Sequence, residues 1–427
     1  MNSLGKTQVD LIVQHAKQLV TARGHSETPA IGSEMEDLGL IEEGAVAIKD
    51  GKIAAVGNTS DVLGKYSAAK TVDASNKVVT PGFVDAHTHC VFAGSREKEL
   101  ELKIKGASYL EIMHRGGGIL RTVSDTRAAT KEELIDICRR RARSLLAHGA
   151  TTIEAKSGYG LNFIDEVKIL QVIKQLNVEG PLTLVPTFLG AHAIPTEYHT
   201  KTAEYVTKLC EEWIPEIAKL NLAEFCDVFC ERGVFEIEDS RRILEAGKRF
   251  GLKAKIHADE LYPLGGAELA AQVGAVSADH LLFASETGLS EMRRAGVIAT
   301  LLPAAPLTLM LERYADARRM IAEGVAVALG SDLSPSCWVE NHQLIIALAC
   351  YKLRMTPAEA IMASTINAAH AVRKANAVGS VEIGKDADIL LIDAEDYRFL
   401  GYSFGRNMVS TVIKRGSVIV ENGKLVA

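Results

Sequence analysis

Pro81-Gly82-Phe83-Val84-Asp85-Ala86-His87-Thr88-His89 is the stretch on which the fold turns. It follows Val78-Val79-Thr80, a run too apolar for a half-solvated strand, and so reads as a buried one. In an extended strand, residues two apart point to the same side. His87 and His89 then present two imidazoles together at the strand's carboxyl end. On a surface strand the same pair would simply be solvated, and the apolar run argues against that. Imidazole suits zinc or iron, and active sites assemble at the carboxyl ends of barrel strands. The pattern predicts a metal at the mouth of a parallel barrel.

Onward from this strand the chain alternates strand and helix. Candidate strands are Val78 to Ala86, Ala150 to Ala155, Leu182 to Phe188, Phe225 to Cys230, Lys253 to Ile256, Ala275 to Ala278, Val297 to Leu302 and Val325 to Leu329. Eight strand–helix units close into a barrel rather than an open sheet. The clearest helix begins at Thr130, with Glu133 completing a capping box. Leu134, Ile137, Cys138, Leu145 and Leu146 give its apolar face, and Gly149 stops it. Arg139, Arg140, Arg141 and Arg143 read as its solvated face.

The two ends of the chain differ from this middle. Gly44 to Ile48 and Lys52 to Val56 flank Asp50-Gly51, a hairpin signal. Near the C-terminus, Asp388 to Ile392, Val409 to Ile413, Ser417 to Val420 and Lys424 to Val426 are further short strands, with turns at Arg415-Gly416 and Asn422-Gly423. Neither set is large enough for a core of its own, so the two are expected to pair. The fold class is thus α/β: a TIM (β/α)8 barrel over residues 78–371, with a small β-sandwich domain formed by the N- and C-terminal segments, residues 1–77 and 372–427.

Composition narrows the function classes. A formal charge of −6 gives no reason to expect nucleic acid or an anionic membrane as partner. Seven cysteines without a CxxC make no disulfide framework and fit a reducing cytoplasm. No signal-peptide core or membrane-spanning run is present, so a soluble cytoplasmic protein is expected.

Polar residues gather where the barrel strands end. The fifth strand runs into His257-Ala258-Asp259-Glu260, the sixth into Asp279-His280, and the eighth into Gly330-Ser331-Asp332. Singly, each has a bland reading: a packed core histidine, or an aspartate capping a helix. Together they converge with His87 and His89 on one face. His87, His89, His257 and Asp332 can hold one metal ion and leave a position for water, whose pKa such an ion lowers from about 15.7 toward about 7. Asp332 can also accept the water's proton. His280 is placed to bond an oxyanion or relay a proton, and Glu260 to protonate a leaving nitrogen. Both could instead support the ligands.

This set resembles the amidohydrolase superfamily. Many binuclear members carry a bridging carboxylated lysine at the end of strand four; here that strand ends in Cys230-Glu231, and Lys156 follows strand two, so the resemblance implies one metal ion, zinc or iron. Thr80 through His89, Lys156-Ser-Gly-Tyr-Gly-Leu161 and Thr187-Phe-Leu-Gly-Ala-His192 are similar to one family within it, the imidazolonepropionases. Gly106-Ala-Ser-Tyr109, Gly116 to Gly118 and Asp227 to Glu231 extend the likeness over nearly the whole chain. The resemblance implies opening of an imidazolone ring to N-formimino-glutamate, a homodimer, and a small-molecule substrate with a carboxylate tail. Arg96 would grip that carboxylate bidentately, with Tyr109, Tyr159 and His192 against the ring. Arg96 alone reads equally as a surface salt bridge, and the tyrosines as packing.

One segment departs from that family. After the strand-eight aspartate its members usually read Asn-Pro-Gly; here stands Ser334-Pro335-Ser336-Cys337, with Ser334 and Ser336 at the substrate-binding positions. Two other functions stay open: a deaminase of a related nitrogen heterocycle using the same metal, and a non-catalytic scaffold on the amidohydrolase fold.

Overall fold

A computed structural model describes residues 5–107, 111 and 117–426. They divide into two compact units, one of residues 1–85, 143–152 and 341–427, the other of residues 86–142 and 153–340.

The first unit is built on a nine-stranded mixed sheet to which both ends of the chain contribute. Its longest strand, Thr7–Leu19, pairs in parallel with Tyr66–Asp73 over its first half and with Val78–Pro81 at its far end. The sheet therefore divides along this strand. Alternation sorts the side chains: Val46 and Ile48 enter one apolar cluster, Ala45 and Ala47 the other. The hairpin signal is realised at Asp50-Gly51, where both residues take positive φ, and again at Arg415-Gly416 and Asn422-Gly423.

The predicted strand Val78 to Ala86 is interrupted. Val78–Pro81 joins the terminal sheet, and only Phe83–Asp85 joins the second, eight-stranded sheet. Gly82 is the break, and a Cβ there would run into the Thr151 side chain. Both pieces are apolar, so hydrophobicity alone cannot show the division.

The eight strands of the second sheet are Phe83–Asp85 (β1), Ala150–Lys156 (β2), Thr183–Ala191 (β3), Phe225–Cys230 (β4), Lys253–Ala258 (β5), Ser277–His280 (β6), Ile298–Leu301 (β7) and Val327–Leu329 (β8). Each neighbours the next in chain order. Ala86 N–H donates to Leu329 O at 3.4 Å, and Thr88 bridges Leu333 in parallel, which brings the first and last strands together. The result is the α/β barrel that the strand count predicts. Strands buried on both faces explain the continuous apolar runs.

The helix Lys131–Ala147 has the predicted capping box: Thr130 N–H donates to Glu133 Oε2 at 2.8 Å, and Thr130 Oγ1 accepts from Glu133 N at 3.2 Å. Its arginines correct the expectation of one solvated face. Arg140 and Arg143 are exposed, but Arg141 is buried, donates to Cys90 O and Phe92 O at 2.8 Å each, and lies 3.5 Å over the Phe92 ring. The two carbonyls replace water as the guanidinium's partners.

Candidate metal centre

The centre assembles from strand ends. His87 and His89 follow β1, and their spacing brings the two Nε2 atoms to 3.2 Å. His257 lies within β5 and places its Nε2 3.4 Å from that of His89. Asp332 follows β8, and its Oδ1 is 3.6 Å from the Nε2 of both His87 and His89. Asp332 is set by a backbone bond from its N–H to His87 O at 3.0 Å and by a left-handed φ of 54°. All four predicted ligands are thus together, with the histidines almost wholly buried.

The opposite ring edges face carboxylates. His87 Nδ1 is 2.6 Å from Asp279 Oδ2, and His257 Nδ1 is 3.1 Å from Asp227 Oδ2. At His87 the carboxylate accepts from Nδ1–H, which fixes the proton there and turns the Nε2 lone pair inward; at His257 the carboxylate faces the ring edge without a hydrogen bond. Burial, then the neighbouring cations, hold the pKa of His87 well below the usual imidazole range. Three neutral imidazoles with converging lone pairs beside one carboxylate suit a divalent or trivalent ion, so this donor set fits a metal.

His280 closes β6 at φ 75°, with its Nδ1 3.6 Å from Glu260 Oε1. Burial lowers the His280 pKa to about 4. Burial, with Asp332 and Glu231 adding to it, raises that of Glu260 well above the carboxylate range. Burial thus favours the uncharged form of both the imidazole and the carboxyl group that faces it. Asp259 takes the bland role instead: its carboxylate accepts from the N–H groups of Leu264, Gly265, Gly266 and Ala267 and secures the start of the helix Gly266–Val273.

His192, just beyond β3, stacks on His89 with centroids 4.7 Å apart, and its Nδ1–H donates to Gly158 O at 3.1 Å. Tyr159 is buried against both rings, 5.8 Å from His89 and 5.2 Å from His192. Arg96 is no surface salt bridge. It grips Glu99 with Nε and Nη2 at 2.8–2.9 Å, and both side chains are less than a tenth exposed. Its charge is felt at His192, whose pKa burial lowers to about 4. Ser334 and Ser336 form a turn after β8: their hydroxyls are 3.2 Å apart, and Ser334 and Cys337 exchange backbone bonds at 3.0 and 3.2 Å. Tyr109 and Gly116 lie outside the described residues.

Sequence reasoning missed a layer of ionisable groups inside the barrel. Glu154 and Lys156 of β2, Asp227 of β4, Lys255 of β5 and Asp279 of β6 are all at most 1% exposed. The available signal was a charge inside an otherwise apolar strand, which is costly to bury unless paired.

A parallel barrel with histidines and an aspartate at its strand ends is the architecture of a metal-dependent hydrolase, and the amidohydrolase family model matches residues 78–426. The imidazolonepropionase of Brevibacillus brevis is 52% identical over 418 residues, covering 97% of this chain and 98% of that protein. That of Alkaliphilus oremlandii is 47% identical over 422 residues, covering 98% and 100%. The chain belongs to the imidazolonepropionase family of amidohydrolases. Its fold is shared by an adenosine deaminase from Xanthomonas campestris with bound zinc, at a TM-score of 0.71 and 18% identity, over 99% of this chain and 95% of that one.

Proposed function

We propose that this enzyme hydrolyses the ring C–N bond of 4-imidazolone-5-propanoate, giving N-formimino-L-glutamate in histidine degradation. The observation that carries the chemistry is the convergence of three neutral imidazoles and Asp332 beside the His280–Glu260 pair. His87, His89, His257 and Asp332 would hold one zinc or iron ion. When bound, that ion supplies Lewis acidity, lowering the pKa of a water toward about 7 and polarising a carbonyl.

The chain's own residues do the rest. Arg96 anchors the propionate, and Tyr159 and His192 flank the ring; with its Nδ1–H given to Gly158 O, His192 keeps Nε2 free to accept from a ring N–H. Ser334 and Ser336 border the same end. Asp332 takes a proton from the attacking water as oxygen adds to the ring carbonyl carbon. His280, its Nδ1 turned to Glu260, offers Nε2–H to the oxyanion. The C–N bond then breaks, and the nitrogen collects a proton from the Asp332, His280 and Glu260 network, in which Glu260, whose protonated form burial favours, is the suited acid.

The test is ultraviolet monitoring of imidazolone propionate with metal-loaded protein. Loss of the ring absorbance with formation of N-formimino-glutamate is expected; ammonia release would assign a deaminase instead. A cytoplasmic homodimer belongs to the same reading: all seven cysteines are free and six are buried, and light scattering would give the subunit count.

A further inference from the structure

The inner layers of such barrels are ordinarily filled by branched apolar side chains drawn from alternate strands. Here alternate strands β2, β4 and β6 instead supply Glu154, Asp227 and Asp279. Their carboxylates meet at one point, and the Nζ of Lys156 occupies it, 2.6 Å from Asp227 Oδ2, 3.0 Å from Glu154 Oε1 and 3.4 Å from Asp279 Oδ2. The two aspartate oxygens are the same atoms that face His257 Nδ1 and His87 Nδ1. Lys255 brings a second ammonium to the layer, reaching Glu154 Oε2 at 2.7 Å and Ala86 O at 3.1 Å. Buried ion pairs seldom stabilise a fold more than apolar packing does, so a layer of this kind calls for a role.

We propose that Lys156 is a resident cation for this centre. Its ammonium fills a carboxylate cage that would otherwise take a divalent ion, holds Asp227 and Asp279 against the two ligand histidines, and so limits the centre to one metal. Lys156 is a positioning residue, acting through the aspartates. Burial alone would strip its proton, but Asp227, Glu154 and Asp279 outweigh that and keep it charged. Without the lysine, three carboxylates would face Lys255 alone. That is a strongly anionic, oxygen-lined cavity, the donor chemistry that divalent cations select.

The inference rests on the metal reading above, and metal stoichiometry separates the two. Parent protein, Lys156→Met and Lys255→Met are loaded with excess Co²⁺, desalted and analysed for metal, with the cobalt absorption spectrum as a second readout. One equivalent is expected in the parent and in Lys255→Met, and two in Lys156→Met, with a second, oxygen-ligated band set. A parent that binds no cobalt would undo the metal reading itself. A folded Lys156→Met with one equivalent overturns the inference alone, as does a variant that neither folds nor gains protection on adding Co²⁺. Two equivalents in both variants would trace the effect to net charge and overturn the cage.

Discussion

At the residue scale the centre is defined by partners rather than by residue type. Asp332 lies within 3.6 Å of two imidazoles and is placed to move a proton. Asp332→Asn keeps the shape and removes the base, so kcat should fall by roughly a thousandfold or more; turnover within tenfold of the parent would remove Asp332 from that role. Arg96 is different. Its Nε and Nη2 are already committed to Glu99, which leaves the Nη1 edge of the guanidinium for a substrate carboxylate. Arg96→Ala should raise KM by about 10- to 100-fold, the worth of one or two charge-assisted bonds, with kcat little altered. An unchanged KM across carboxylated substrates would place the anchor elsewhere.

At the element scale the loop after β2 shows how a helix can set a site. Glu166, in the first turns of the helix Phe163–Glu179, accepts from the N–H groups of Gly158, Gly160 and Leu161 at 2.8–3.2 Å. That grip shapes the turn carrying Tyr159. Glu166→Gln offers one acceptor oxygen in place of two, and should cost about 2–3 kcal/mol in urea unfolding together with a raised KM. Gly158 is equally constrained: at φ 106°, with His192 Nδ1 only 2.8 Å from where a Cβ would stand, Gly158→Ala should displace His192 and raise KM while secondary structure by circular dichroism stays intact.

The same scale shows what could be read in advance. The barrel strands were legible because burial on both faces demands unbroken apolar runs, and the ligands because they sit where those runs end. The strand Thr7–Leu19 was not, since Gln14, His15, Lys17 and Gln18 break its pattern and its pairing partners lie far along the chain. Nor was the Glu154–Lys156–Asp227–Lys255–Asp279 layer, because, apart from the Lys156–Glu154 contact within β2, its charges meet their partners across strands. Arg141 hid for a like reason: its partners are backbone carbonyls, which carry no sequence signal.

At the scale of the whole molecule, pH also acts through a half-buried histidine that is no part of the metal centre. In the unit of the terminal sheet, His370 Nε2–H donates to His25 O at 2.7 Å, and burial lowers the His370 pKa below its ordinary value. A depressed folded-state pKa means that the unfolded chain binds the proton more readily. The stability contribution is present above about pH 6.5, the unfolded value, and is lost as pH falls toward the folded one. His370→Gln should therefore shrink the fall in urea midpoint between pH 7 and pH 5. A fall as steep as the parent's would mean that other groups carry it.

The charged layer within the barrel also has a thermal consequence. Hydration of ions becomes less favourable as temperature rises, so the penalty for holding Lys156, Lys255 and their three carboxylates away from water shrinks on heating. An apolar layer in the same place would gain nothing comparable. The interior beneath the metal is therefore least burdensome when warm and most burdensome when cold, which makes low temperature, rather than high, the condition under which this part of the barrel is held least firmly.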